Sequence, residues 1–183
     1  LSEVLQFGST NILRYGLSFA RLDGQPAPIA KWEESYLRPI HHGIESLGIK
    51  LDNPDACRIP IWPYYDCLVA GKTCEDASWW GILGVLLVWP CVFWALCAPG
   101  MSPAARVLAG ATFVFLLTQC FSGPYDPWRG RYFIHGALFA VPCVGLVVET
   151  IRSRISIGVV TAILCVGLFS GVTTTRIQLQ ASS

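Results

Sequence analysis

The sequence predicts an all-helical, polytopic membrane protein, with about four transmembrane helices preceded by a mostly helical extramembrane segment. Three observations carry this. The 183 residues are 53% hydrophobic and only 14% charged, where soluble domains carry roughly 25% charged residues. The charges are unevenly placed: most precede Ala77, and the rest sit in short connectors. Between those connectors run apolar stretches of about the 20 residues that a helix needs to cross a bilayer. A chain of this length can bury a soluble core. Buried helices of a soluble fold still turn one edge to water, however, and these stretches have no polar edge. The net charge of +1 offers no basic surface for nucleic acid, so the expected partner is the lipid bilayer.

Four spans follow in order. Trp79 to Cys97 has no charge. Ala104 to Phe121 carries only Arg106 near its start and Gln119 near its end. Tyr132 to Val148 has one His135, and Ile155 to Thr173 is uncharged. Pro90 and Pro142 fall inside the first and third spans, where each removes a backbone hydrogen bond and tends to kink the helix. Spans tolerate this because neighbouring helices re-satisfy the freed carbonyls. Gly158, Ala162, Gly167 and Gly171 recur in the fourth, and the last two are spaced for close helix approach, although such residues are also ordinary span composition. The connectors 98–103, 122–131 and 149–154 are short, so consecutive spans are antiparallel neighbours in an up-and-down bundle. The expected division is an extracytoplasmic segment over 1–77, a four-span bundle over 78–176 and a short polar tail over 177–183. The chain begins at Leu1 with no secretory signal and reads as the C-terminal portion of something longer.

Sidedness is not decided by arginines. Arg106, Arg152 and Arg154 lie on one side, and Arg129, Arg131 and Arg176 on the other. Cys57, Cys67 and Cys74 cluster before the first span, and disulfides persist in oxidising compartments. The N-terminal segment and the connector 122–131 are therefore expected outside, in a multi-pass protein of a bacterial inner (plasma) membrane. The three cysteines allow three single pairings. Cys67 with Cys74, nearest in sequence, is the expected one, contributing about 2–3 kcal/mol. A zinc site would want a fourth ligand, and the spacing matches no common zinc pattern. Cys91, Cys97, Cys120, Cys143 and Cys165 read as small apolar packing residues.

In the N-terminal third, Ser2 to Leu22 reads as an amphipathic helix. Leu5, Ile12, Tyr15, Phe19 and Leu22 share one face; Glu3, Asn11, Arg14, Ser18 and Arg21 share the other. Such a helix lies in the membrane interface or packs on the bundle. Asp23-Gly24 is a turn, and Pro26 and Pro28 keep the chain extended. A second helix is expected from about Arg38 to Leu47, with Pro39 in its first turn and Gly48 past its end. His41 and His42 are adjacent, hence about 100° apart on a helix, which speaks against joint chelation; no metal or other cofactor is expected. Glu75 and Asp76 head the first span. They serve either the helix dipole, with Asp76 or Ser78 as cap, or an outer substrate cleft as acids.

The connector that bears on chemistry reads SGPYDPWRGRYF from Ser122 to Phe133. Asp126 suits an N-cap and Pro127 the first helical position. On that helix Arg129 and Arg131 stand about 200° apart, so they face opposite ways. Gly130 lets a ligand come close. Guanidinium groups bind phosphate bidentately, and a helix N-terminus adds a favourable dipole. The competing reading is an interfacial belt of Tyr125, Trp128 and Tyr132, with arginines meeting lipid phosphates non-specifically.

Gly130-Arg131-Tyr132-Phe133, heading an apolar helix after a short outer loop, resembles the late Arg-Tyr segment of GT-C class membrane glycosyltransferases. These include relatives of the dolichyl-phosphate-mannose protein mannosyltransferases and the bacterial aminoarabinose transferases. The likeness covers about Gly123 to Val144 and the general layout of spans. It implies a polyprenyl-phosphate-sugar donor, an extracytoplasmic active site, and lipid-phosphate contacts from Arg131, Arg129 and Tyr132. The family often has a proline three residues after the Tyr, where this chain has His135. The family's catalytic acid lies in a first outer loop that has no counterpart here, so this portion alone is expected to be inactive. The alternative class is a non-enzymatic membrane component, a transporter fragment or an assembly subunit. A transporter would more typically place ionisable groups or broken helices at mid-span. These spans lack charges, although Pro90 and Pro142 supply candidate breaks.

Overall fold

The computed structural model describes residues 2–22, 27–51, 80–126, 132–151 and 153–181. Its regular elements are all helices: α1 (Ser2–Phe19), α2 (Ala27–Ser46), α3 (Gly81–Cys97), α4 (Pro103–Phe121), α5 (Ile134–Ile151) and α6 (Arg154–Ala181). The expected disulfide partners Cys67 and Cys74, with Cys57, Glu75 and Asp76, lie outside the described residues, as does the turn at Asp23-Gly24.

The helices α4 and α5 and the stretch Arg154–Thr173 of α6 are each long and apolar enough to cross a membrane. α3 is apolar but shorter, so the first expected span is the least complete of the four. Pro90 has no N–H to offer the Leu86 carbonyl. Helix α3 meets that gap with a π turn over Gly84–Val88, immediately ahead of it; one extra residue per turn absorbs the mismatch. Between α3 and α4 the chain turns sharply. Ser102 accepts the Ala105 N–H at 3.2 Å as an N-cap, ahead of Pro103. Arg106 donates to the Ala98 carbonyl at 3.2 Å, satisfying the end of α3.

Helices α3, α4 and α5 pack on one another. Their seam is built from small residues: Ala95, Ala105, Ala109, Ala140 and Cys143 are fully buried. Small side chains let backbones approach, which is how helices associate in lipid, where no hydrophobic force draws them together. Cys91 and Cys120 are buried as expected of packing residues, whereas Cys97 and Cys165 are exposed. Helix α6 stands apart, with only 6% of its apolar stretch buried within the chain. It touches α3 closely at Gly167, where a Cβ would lie 2.4 Å from Leu83 Cδ2; at Gly158 and Gly171 a Cβ would meet nothing. Its helix continues to Ala181, through most of the stretch read as a polar tail.

The N-terminal segment departs from expectation in two ways. Helix α2 begins at Ala27, well before Arg38, and Pro39 lies inside it. Pro28, not Pro39, occupies the opening turn, where a missing N–H costs nothing. Gly48, with φ +84°, donates to the Glu45 carbonyl at 2.9 Å and closes the helix as a left-handed C′ residue. The second departure concerns α1. Its polar face is not wet: Asn11, Arg14, Ser18 and Arg21 are all buried, while Ile12 of the apolar face is 40% exposed. α1 packs along α4, and Gly8 permits it, since a Cβ there would lie 2.0 Å from the Phe121 ring.

Candidate functional site

The buried polar face of α1 receives the connector that follows α4. The Asn11 side chain donates through Nδ2 to the carbonyls of Cys120 at 2.9 Å and Gly123 at 2.8 Å, ending α4 with a cap from another helix. The Asp126 N–H donates to the Tyr15 hydroxyl at 3.4 Å. The Tyr125 hydroxyl lies 3.3 Å from Ser18 Oγ, and its ring sits under the Arg14 guanidinium at 5.4 Å, close enough for cation–π attraction. Arg14 also donates through Nε to the Leu51 carbonyl at 2.9 Å, so it ties the connector to the chain beyond α2. Tyr125 and Asp126 are buried as a result. These contacts put residues 11–18 beside the described part of the connector, 122–126.

Arg129 and Arg131 lie outside the described residues, but both flanks of that stretch meet at one residue. The Tyr15 ring centroid is 5.1 Å from that of Tyr125 and 5.1 Å from that of Phe133. Tyr132 and Phe133 form a turn, and α5 starts at Ile134, so no helix runs unbroken from Asp126 into α5, and Asp126 does not cap that helix. Tyr132 is 48% exposed and its carbonyl accepts the His135 N–H at 3.3 Å. Phe133, beside it, is the residue that turns inward.

Phe133 forms part of the wall of an apolar cavity of about 420 Å³ between α1, α3, α4 and the turn that precedes α5. Tyr15, Gly16 and Phe19 face it from α1, Trp89 and Phe93 from α3, and Phe113 and Leu116 from α4. The aromatic wall is knit edge to face: Phe19 lies 5.2 Å from both Trp89 and Phe133, and Phe93 lies 5.4 Å from Phe113. Such geometry is favourable for ring quadrupoles. The Trp89 indole N–H is buried without an acceptor among the described residues. Gly16 matters because a Cβ there would meet nothing within 4 Å; the cavity is open at that point.

A second cluster lies on α2. The ligand atoms of His41, His42 and Glu45 all fall within 4.8 Å of one another, closer than the 100° offset between adjacent histidines suggests. His41 Nδ1 is 3.9 Å from Glu45 Oε2. A tetrahedral zinc site would need these atoms nearer about 3.3 Å apart, from bonds of about 2.0 Å, so the cluster is not drawn up as a metal site.

Of the three residues expected to contact the phosphate, Arg131, Arg129 and Tyr132, only Tyr132 is described; it is exposed and does not line the cavity. The sequence reading missed α1 altogether as part of the site. The signal was present in the spacing of Asn11, Arg14, Tyr15 and Ser18, which puts them on adjoining faces, but nothing in one sequence marks a polar helix face as buried. Comparison with protein-family models, with curated proteins and with solved structures returns no match for this chain. Its membrane-protein character rests on the apolar helices themselves.

Proposed function

We propose that the chain forms the C-terminal membrane portion of a glycosyltransferase that uses a polyprenyl-phosphate-linked sugar, acting on the extracytoplasmic face of a bacterial plasma membrane. The observation that carries this reading is the aromatic-walled cavity of about 420 Å³ whose wall residue Phe133 lies two positions from Arg131. An isoprenoid tail suits an apolar cavity, and a phosphate head suits guanidinium groups, which the sequence carries two and four positions before Phe133. In this reading Arg131, with Arg129, meets the phosphate as it departs, while an acid supplied elsewhere activates the acceptor hydroxyl. The resemblance of Gly130-Arg131-Tyr132-Phe133 to the late Arg-Tyr segment of GT-C enzymes supports the same assignment.

The test is binding. The purified protein in lipid nanodiscs is titrated with a short-chain polyprenyl phosphate and, separately, with the matching polyprenol. Saturable binding that favours the phosphate supports the reading. Equal binding of both leaves only an apolar cavity, and no binding of either overturns the proposal in favour of a non-enzymatic membrane component.

A further inference from the structure

We infer that α2 is an interfacial helix, lying along the bilayer surface with one apolar stripe inserted among the lipid headgroups and upper acyl chains. The inference does not depend on the proposed enzymatic role.

Helix α2 is divided into three faces rather than two. Glu33, Leu37 and His41 are buried and fall within about 80° of one another at 100° per residue. Lys31, Ser35, Arg38 and His42 are exposed and fall within about 60° on the far side. Between them Ile29, Trp32 and Ile40 form a third stripe, within about 80°, and these are exposed by 38%, 61% and 46%. Leu47, just past the helix end and 78% exposed, extends it. A helix on a soluble surface has one buried and one wet face; an exposed apolar stripe is a third environment.

The depth of the helix identifies that environment as lipid. Leu37 joins the same buried cluster as Cys120, Tyr125 and Phe133. Cys120 is near the last residue of α4, and Phe133 immediately precedes α5, so the cluster marks the level at which two spans end. Two further contacts hold α2 there. The Tyr36 hydroxyl donates to the Ala20 carbonyl at 2.7 Å, and Arg21 lies 3.9 Å from Glu33, both buried. At span ends the surrounding medium is headgroup and upper acyl chain. Trp32 stacks edge to face on Tyr36 at 5.0 Å, and Trp and Tyr are the residues that prefer this level. Lys31 and Arg38 on the opposite face stay in water, the arrangement of an in-plane amphipathic helix.

Two measurements test it. The first uses the native chain in nanodiscs containing a phosphatidylcholine with a diazirine near the glycerol backbone. After photolysis and digestion, lipid adducts are expected on Trp32 or Ile40 within the peptide from Trp32 to Lys50. Adducts confined to α3–α6 would overturn the inference. The second places spin labels singly, as Trp32→Cys, Ile40→Cys, Ser35→Cys and His42→Cys, in a background lacking the native cysteines. Collisions with oxygen should exceed those with a water-soluble nickel chelate at positions 32 and 40, and the order should reverse at 35 and 42. Nickel-dominated access at all four positions would mean that the stripe faces water. Poor access of both reagents at 32 and 40 would mean that protein covers it. Either result overturns the lipid assignment.

Discussion

The Asn11 side-chain amide donates to the Cys120 carbonyl, 109 residues away in sequence, at 2.9 Å, and its other hydrogen reaches Gly123 at 2.8 Å. One residue of α1 thus supplies what the last turn of α4 lacks, since the final carbonyls of a helix have no intrahelical donor. In a setting with little water, leaving them bare is costly.

This relationship sets an order among substitutions. Asn11→Ala removes both donors and should lower stability by about 1–3 kcal/mol. Asn11→Asp should be worse, because an ionised carboxylate only accepts and would face two carbonyl oxygens. Thermal unfolding in detergent, followed by thiol accessibility of the buried Cys120, ranks the two. Asp tolerated as well as Ala would mean that the carbonyls find another partner.

The two glycines of α1 separate in the same way. Both lower intrinsic helix stability, by about 1 kcal/mol each against Ala. Gly8→Ala gains that propensity but drives a methyl group into the Phe121 ring, 2.0 Å away. Gly16→Ala gains it in open space. The expected result is a lower melting temperature for Gly8→Ala and an unchanged or higher one for Gly16→Ala, read by the same thermal assay.

What the sequence made legible was governed by solvent. Helix α4 follows directly from the apolar run Ala104 to Phe121, which it matches to within one residue. The Gly48 stop of α2 follows from its φ requirement. The burial of Arg14 does not follow, because a cation flanked by Ser18 and Asn11 on one helix face looks solvated until Tyr125 and the Leu51 carbonyl are seen to cover it. The start of α2 was obscured by Pro39, which suits a first turn but here sits mid-helix, with Pro28 taking the opening turn. The cavity was invisible for a different reason. Ile12, Tyr15, Phe19, Trp89, Phe113 and Phe133 come from three helices and a turn, and no local pattern signals that large residues leave space between them.

Helix α6 meets the rest of the chain through few residues, so its docking should be sensitive at one position. Gly167→Ala places a methyl group against Leu83, and Gly171→Ala meets nothing. A cysteine pair at Leu83 and Gly167 would perturb the contact it reports, so proximity is better read by dipolar distance between labels on Leu86→Cys and Phe169→Cys, both at exposed positions. The Gly167→Ala chain should show a longer or broader distance than wild type, and the Gly171→Ala chain the wild-type distance. A double variant, Gly167→Ala with Leu83→Ala, should restore it.

Filling the cavity tests its use without touching an arginine. Gly16→Leu inserts a side chain where a Cβ has free space, toward a volume of about 420 Å³. Folding should survive, since helix propensity rises. Affinity for a polyprenyl phosphate should fall by about tenfold or more, as for the loss of a few buried methylene contacts at about 0.8 kcal/mol each. Unchanged affinity with intact folding would place the tail elsewhere, most simply in the bilayer.

The sharpest test of the proposed function is the arginine that precedes Tyr132. If Arg131 receives the phosphate, Arg131→Ala should lose a charge-assisted contact worth about 1.5–3 kcal/mol, or about ten- to a hundredfold in binding or transfer rate. Arg131→Lys keeps the charge but not the bidentate fork, so it should be partly impaired. An interfacial anchor behaves differently: Lys snorkels as well as Arg, and function would survive that exchange. Transfer activity of the complete protein, at matched expression and membrane insertion, distinguishes the two. Arg131→Ala at the wild-type rate would remove the lipid-phosphate role and leave an anchor. Arg129→Ala is the control, and the turn at Tyr132-Phe133 gives it added weight. On one continuous helix the two arginines face opposite ways, and only one variant should lose activity. Because no helix runs unbroken from Asp126 into α5, large losses at both positions would instead mean that both guanidinium groups turn toward the same phosphate.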